Sequence, residues 1–391
     1  MRSLFSLTDL RQTLRRLGRE RGFTATVLIT LALCIGVNLA IFAVVDAILI
    51  RSLPFPEADR LVVTVNSYPL AGVERAGTAL PNYYDRRKGM RSFESVSIIN
   101  GGDVTIGEEG APQRVPRLRV SPEFFDTLKV PLAMGRMWTD AEMIHEESGV
   151  AVLTDAFWHS TFNGDPEVLG KRFRVDGFDV TVLGVLPPGF RFLSRKAQFF
   201  TPASSSLEDR QPDRRHSNNY QMIARLKAGV SVEAAQAEMD AFNEQQLADD
   251  PYADLVRDAG FNTLVRPLHA DHVRSVRPML LMLQGGVLFL LLIGGVNLVN
   301  LMLVRASGRA KELAVRQALG ASRLDVAREV WIETILLGVM GGLLGVGVGA
   351  AGIQMLDALG TEQLPLGTTV ALDVRIASVA LVGSVLAGFI L

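Results

Sequence analysis

The chain has 391 residues, 48% of them apolar, with 40 basic and 41 acidic side chains and a formal net charge of −1. That balance gives no electrostatic basis for binding nucleic acid, and a single cysteine excludes a disulfide framework. The totals conceal an uneven distribution: apolar residues crowd into four runs, at 23–50, 278–304, 330–356 and 374–391, each near or above the roughly 18–20 residues that cross a bilayer.

Residues 1–22 precede the first run. Leu7, Leu10, Leu14 and Leu17 recur there at helical spacing with arginines between them, which predicts an amphipathic elbow helix along the inner membrane surface. The first run is longer than the apolar core of a secretory signal and leads into Arg51-Ser52-Leu53-Pro54 rather than a small-residue cleavage site. It is expected to be an uncleaved signal-anchor span, with Cys34 as a small packing residue inside it.

Residues 51–277 have ordinary globular composition. Strands are predicted at 61–67, 95–99, 115–120, 150–154, 172–175, 180–186, 220–226 and 262–267, and helices at 81–88, 122–128, 155–162 and 231–247. The last of these has Ser231 as its cap and an apolar stripe at Val232, Ala235, Met239 and Phe242. The mixture implies an α+β domain, read as two subdomains with an insertion at roughly residues 140–215.

Charge orients the spans. Residues 1–23 carry six basic and two acidic side chains, and residues 305–329 carry six basic (Arg305, Arg309, Lys311, Arg316, Arg323, Arg328) against Glu312, Asp325 and Glu329. Both segments therefore belong on the cytoplasmic side, and residues 51–277, with 27 basic and 31 acidic side chains, on the other. The expected architecture is a membrane protein of four transmembrane α-helices. A large α+β extracytoplasmic domain separates the first two, and a short external loop, 357–373, separates the last two. The fourth run stops at Leu391 without polar anchors after it, so the chain is expected to continue.

The search for catalytic chemistry is negative. The nearest match to a phosphate-binding loop, Gly164 through Gly170-Lys171-Arg172, has one residue too many and arginine where a magnesium-binding hydroxyl is needed. His269-Ala270-Asp271-His272 offers two imidazoles and no third metal ligand. No cofactor, metal or enzymatic activity is predicted. Polar and small residues in the spans point instead to helix packing. Asn38, Asn297 and Asn300 are suited to hydrogen bonds across helix contacts, and Gly341, Gly345 and Gly349, four apart, open a groove for close helix approach. Glu333, beside Trp331 at the start of the third run, is placed to pair with an arginine of the charged loop.

The charged loop, taken with the order of spans, resembles the MacB/FtsX-like permeases of ABC transport systems. Lys311-Glu312 through Arg316-Gln317-Ala318-Leu319-Gly320-Ala321-Ser322-Arg323 is similar to that family's cytoplasmic motif between its second and third spans. Further stretches resemble its external domain: Val120 through Leu128, Gly135-Arg136, Val152 through Trp158, and Val182 through Pro187-Pro188-Gly189-Phe190. The N-terminal run from Asp9 to Phe42 resembles most the tandem-duplicated orphan permeases of acidobacterial type. Lys129 departs from the pattern, standing where relatives have glycine before Val130-Pro131.

The resemblance implies a permease subunit of an inner-membrane ABC export or mechanotransmission system, with ATP hydrolysis in a separate subunit. Glu312, Arg316, Ala318, Leu319, Gly320 and Arg323 would couple to a cytoplasmic ABC ATPase. A second permease half, tandem or homodimeric, and a periplasmic adaptor would complete the assembly in the lipid bilayer. The alternatives are an FtsX-like regulator of a cell-wall hydrolase and a non-transporting receptor anchor.

Overall fold

The computed structural model describes residues 7–107, 112–193, 196–308, 315, 323–358 and 378. Contacts divide the chain into two units: residues 1–51, 275–364 and 368–391 form one, residues 52–274 and 365–367 the other.

The chain opens with α1 (Leu7–Arg19), turns at Glu20 and enters α2 (Arg21–Val45), which closes in a single wider π turn, Asp46–Ile50. Thr24 Oγ1 donates to the Leu17 carbonyl at 2.9 Å, fastening the corner between the two helices. On α1, Thr13 and Leu17 are buried while Arg11, Arg15 and Arg19 are exposed.

The second unit is built on one continuous sheet of eleven strands. In chain order these are β1 (Leu61–Tyr68), β2 (Val73–Ala76), β3 (Phe93–Ile106), β4 (Gln113–Val120), β5 (Met134–Gly135), β6 (Val150–Leu153), β7 (Arg172–Val175), β8 (Phe178–Val185), β9 (Phe199–Pro202), β10 (Gln221–Leu226) and β11 (Asn262–Pro267). Six helices intervene: α3 (Leu80–Gly89), α4 (Phe124–Leu128), α5 (Asp155–Phe162), α6 (Val232–Ala248), α7 (Ala253–Asp258) and α8 (Leu268–Val273).

The main path runs β11-β1-β10-β3-β4-β9-β6-β8-β5, with β2 paired to β1 and β7 bridging β3 and β8. The first five strands are antiparallel; β4 meets β9, and β6 meets β8, in parallel. Seven successive residues of β1 are buried, as its apolar run requires of a strand covered on both faces. The strands at 172–175 and 262–267 appear with the predicted limits. β2, β5 and β9 are additions, and each is only two to four residues long.

Two cores result. At the β6–β8 end, Ala151, Leu153, Phe157, Val168, Val182 and Phe199 pack together with Val104 and Ile106 from the long strand β3. Nearer the middle, Phe124 and Phe125 of α4 meet Phe190 and Phe200, with centroids 5.2–5.9 Å apart for the pairs Phe125–Phe190, Phe125–Phe200 and Phe124–Phe200. The Pro187-Pro188-Gly189-Phe190 turn, with Gly189 at φ 76°, delivers Phe190 to that cluster.

Among the described residues, Arg225 and Arg86 are fully buried. Arg225 donates to the carbonyls of Thr127, Glu57 and Pro56 at 2.8–3.1 Å. Arg86 is caged by neutral oxygens from Thr263, Asn243, Asn66 and Thr78 at 2.8–3.4 Å. Burial pulls its guanidinium down to about 10.

After α8 the chain enters α9 (Arg277–Gly308), and the last described helix is α10 (Arg323–Ala358). Among the described residues, three helical stretches are long and apolar enough to cross a membrane: Arg21–Ile50, Arg277–Gly308 and Val330–Met355. The fourth predicted run, 374–391, lies outside the described residues except for Ser378, which is helical.

Both long helices outrun their apolar segments. The span predicted at 278–304 continues as helix to Gly308, and the segment at 305–329, expected as loop or helix, is helical again from Arg323. The physical reason is local. Arg305, Ala306 and Ser307 are compatible with helix, Ser307 Oγ donates back to the Val304 carbonyl at 2.8 Å, and leaving the hydrocarbon does not itself end a helix.

Candidate transmission site

Three helices meet through one charge. Arg305, in the last turn of α9, has a side chain only 10% exposed. It stands 2.8 Å from the carboxylate of Glu20 at the α1–α2 corner, against the carboxylate of Glu333 in α10, and 4.3 Å over the ring of Phe23. None of the Arg305 nitrogens has the alignment of a hydrogen bond, so charge and ring polarisation hold the cluster. Glu333 is 9% exposed on its side chain. Burying a carboxylate and a guanidinium is costly unless they stay together, so separating these helices would leave uncompensated charges.

The apolar side chains beside the cluster come from the same helices. Leu17, Val27, Leu298 and Leu337 are buried together, with Phe23, Leu31, Leu301 and Leu336 against them.

Further along, α10 lies backbone to backbone on α2. A Cβ added at Gly341 would come within 2.7 Å of Leu31, one at Gly345 within 2.8 Å of Ile35, and one at Gly349 within 2.9 Å of Leu39. The partners are themselves spaced by four, so the two helices mesh along one stripe. Gly36 is the reciprocal opening on α2, since a Cβ there would meet Val348 at 2.7 Å. The four-residue period of α10 shows in the sequence, whereas a single glycine on α2 does not announce itself.

Asn38 ties α2 to α9. Its Nδ2 donates to the Val287 carbonyl at 2.6 Å, and its Oδ1 accepts from Gln284 Nε2 at 3.3 Å. Asn297 and Asn300 are exposed on α9 and form no part of that contact. Of the residues the sequence marks for coupling, Glu312, Arg316, Ala318, Leu319 and Gly320 lie outside the described residues, and Arg323 is the first residue of α10. The structure thus describes the helices on either side of the charged segment. It adds Arg305 and Glu20, whose pairing had no signature in the sequence beyond an acidic residue next to a basic helix.

Among the described residues no group of histidine, cysteine, aspartate and glutamate could hold a metal ion. His269 and His272 both sit on α8, and Asp271 between them is taken by Arg75 in a two-pronged pair at 2.7 and 2.8 Å.

Two family models match the chain: the MacB-like periplasmic core domain over residues 24–242 and the FtsX-like permease C-terminal domain over residues 285–391. The chain is 23% identical over 255 residues to the macrolide export ATP-binding/permease protein MacB of Psychrobacter arcticus, covering 62% of this chain and 35% of that one. It is 26% identical over 302 residues to the corresponding protein of Chromobacterium violaceum, covering 71% and 45%. The chain therefore spans less than half the length of these relatives. Among solved structures, the periplasmic region of MacB from Actinobacillus actinomycetemcomitans is similar at a TM-score of 0.39 and 12% identity, over 56% of this chain and 94% of that one.

Proposed function

Because the chain belongs to the MacB/FtsX-like permease family, whose members are membrane-embedded with a periplasmic domain, we propose that it is the transmembrane subunit of an ABC-type export or mechanotransmission system. A separate cytoplasmic ATPase binds residues 305–329, through Glu312, Arg316, Ala318, Leu319, Gly320 and Arg323. Its nucleotide cycle moves the ends of α9 and α10, and residues 51–277 respond on the periplasmic side. The protein is a multi-pass component of the bacterial inner membrane with a cytoplasmic N-terminus and, with residues 374–391 as a further span, four crossings. Asn297 and Asn300 on the open face of α9 serve contact with a second permease half, because an amide left facing lipid lacks a hydrogen-bond partner. A periplasmic adaptor engages the external domain, and export of a macrolide-like cargo is what its relatives' names suggest.

The observation that supports this reading best is the Arg305 cluster. It lies at the end of α9, where the charged segment 305–329 begins, and binds the α1–α2 corner and α10 to the same guanidinium. A displacement of the charged segment therefore moves three helices as one piece. The test is recovery of the ATPase with the permease from membranes. Gly320→Leu and Arg316→Glu are expected to cut recovery at least about tenfold, equivalent to losing ~1.4 kcal/mol of association. Undiminished recovery would rule out this docking segment.

A further inference from the structure

A polar cavity of about 450 Å³ opens in the second unit over three neighbouring strands, β10, β3 and β4. Its floor is a row across the sheet: Tyr220 just before β10, Asn100 on β3 and Arg119 on β4, where Asn100 and Arg119 are direct partners. His145, Arg214 and Asn219 complete the wall. The volume lies within the roughly 300–1,000 Å³ typical of small-molecule sites.

The cationic and anionic groups of this cavity are unevenly paired. Arg214 is paired with Glu208 at 2.9 Å. Asp209, the one carboxylate in the lining, accepts from the Ser206 backbone N–H at 3.0 Å and the Ser206 hydroxyl at 2.9 Å. Arg119 has no carboxylate among the described residues; its one protein hydrogen bond is to Asn100 Oδ1 at 3.0 Å, leaving most of its five N–H donors unused. Arg117 stands two residues earlier on the same face of β4; it has no ion pair among the described residues, though the charge of Asp176 acts on it. Burial, and after it the charge of Arg119, lowers the Arg117 guanidinium below its ordinary range. Tyr220 brings a half-buried ring and a hydroxyl with no hydrogen bond among the described residues.

We propose that this cavity binds a small organic anion, carrying a carboxylate or a phosphate group, on the free edge of the Arg119 guanidinium, with the Tyr220 hydroxyl and Asn219 amide as further hydrogen-bonding groups. A planar guanidinium matches either oxyanion in a two-pronged contact, and an anion there offsets the charge of Arg119, which has no ion pair among the described residues. The site is independent of the transmission reading, since it uses neither the charged segment nor the membrane helices.

The test uses the full chain in lipid nanodiscs, titrated calorimetrically and by thermal unfolding with citrate as the carboxylate probe and glycerol 3-phosphate as the phosphate probe, at constant ionic strength. Saturable binding of at least one probe is expected, accompanied by a rise in the unfolding temperature, and the preferred probe identifies the anion class. Arg119→Gln is expected to weaken binding at least about tenfold without lowering the unfolding temperature of the unliganded protein, because it also relieves Arg117. Arg119→Lys, which keeps the charge and loses the fork, should fall between the two, whereas Arg174→Gln, at a remote surface arginine, should bind as the parent does. Failure of both probes to saturate by about 10 mM, or unchanged affinity in both Arg119 variants, would overturn the assignment.

Discussion

Lys129 holds a backbone conformation that favours glycine. It closes α4 with φ 56°, a left-handed conformation in which glycine carries no Cβ penalty. Its Nζ reaches both oxygens of Glu57 at 2.9 and 3.0 Å, an exposed pair that recovers little of that strain. Lys129→Gly is therefore expected to leave stability unchanged or raise it by up to about 1 kcal/mol, read as a shift in the urea midpoint; a loss of stability would show that the pair outweighs the backbone. Glu142 supplies a pH dependence. Two hydrogen bonds from Arg136 at 2.8 and 3.0 Å, with further ones from Thr139, hold its carboxyl down to about 2 from an ordinary 4.5. A carboxyl depressed in the folded state contributes fully above its unfolded value and loses that contribution as pH falls toward the folded one. Stability should thus fall between pH 4.5 and about 2, and Glu142→Gln should flatten that limb in acid-unfolding curves. At this scale the sequence reveals the unusual residue type but not its conformation or partner. The buried Arg86 adjoins Arg87, which pairs with Asp140 near the surface, and nothing in the two letters distinguishes them.

Elements were legible where periodicity was strong. The alternation in 172–175 and 262–267, the Ser231 cap and the unbroken apolar runs all state their secondary structure through a repeating requirement of burial. β9, Phe199–Pro202, follows a polar stretch and is too short for a repeat to show; it forms because β4 and β6 present open edges on either side. The long helices exceed their apolar runs for the complementary reason: hydropathy marks the bilayer, not the last hydrogen-bonded turn. The glycine stripe gives a direct test of element packing. Gly345→Leu places atoms where Ile35 already stands and should destabilise the helical unit by about 1–3 kcal/mol. Gly347→Leu, two residues away on a face with no neighbouring atom within 4 Å, should be tolerated. Equal unfolding temperatures for the two variants in detergent would contradict the close contact between α2 and α10.

For the whole molecule, the sequence specified a membrane protein with one large inserted domain because charge and hydropathy act over tens of residues and survive local error. It did not specify that the domain's strands join in one continuous sheet, since strand order depends on which edges meet and not on any single segment. It placed Glu333 to pair with an arginine of the charged segment, which is Arg305 in the structure, but not Glu20, which joins the same guanidinium from a position more than half the chain away from Glu333. The account rests on the charged segment and the sheet domain lying on opposite sides of one membrane, so that force applied at one can act at the other. With Cys34 replaced by alanine, single cysteines at the exposed positions Val315 and Phe178 would be treated with a membrane-impermeant maleimide in intact spheroplasts. Labelling at residue 178 with protection at residue 315 until the membrane is opened is the predicted result; labelling of both from the same side would contradict the account.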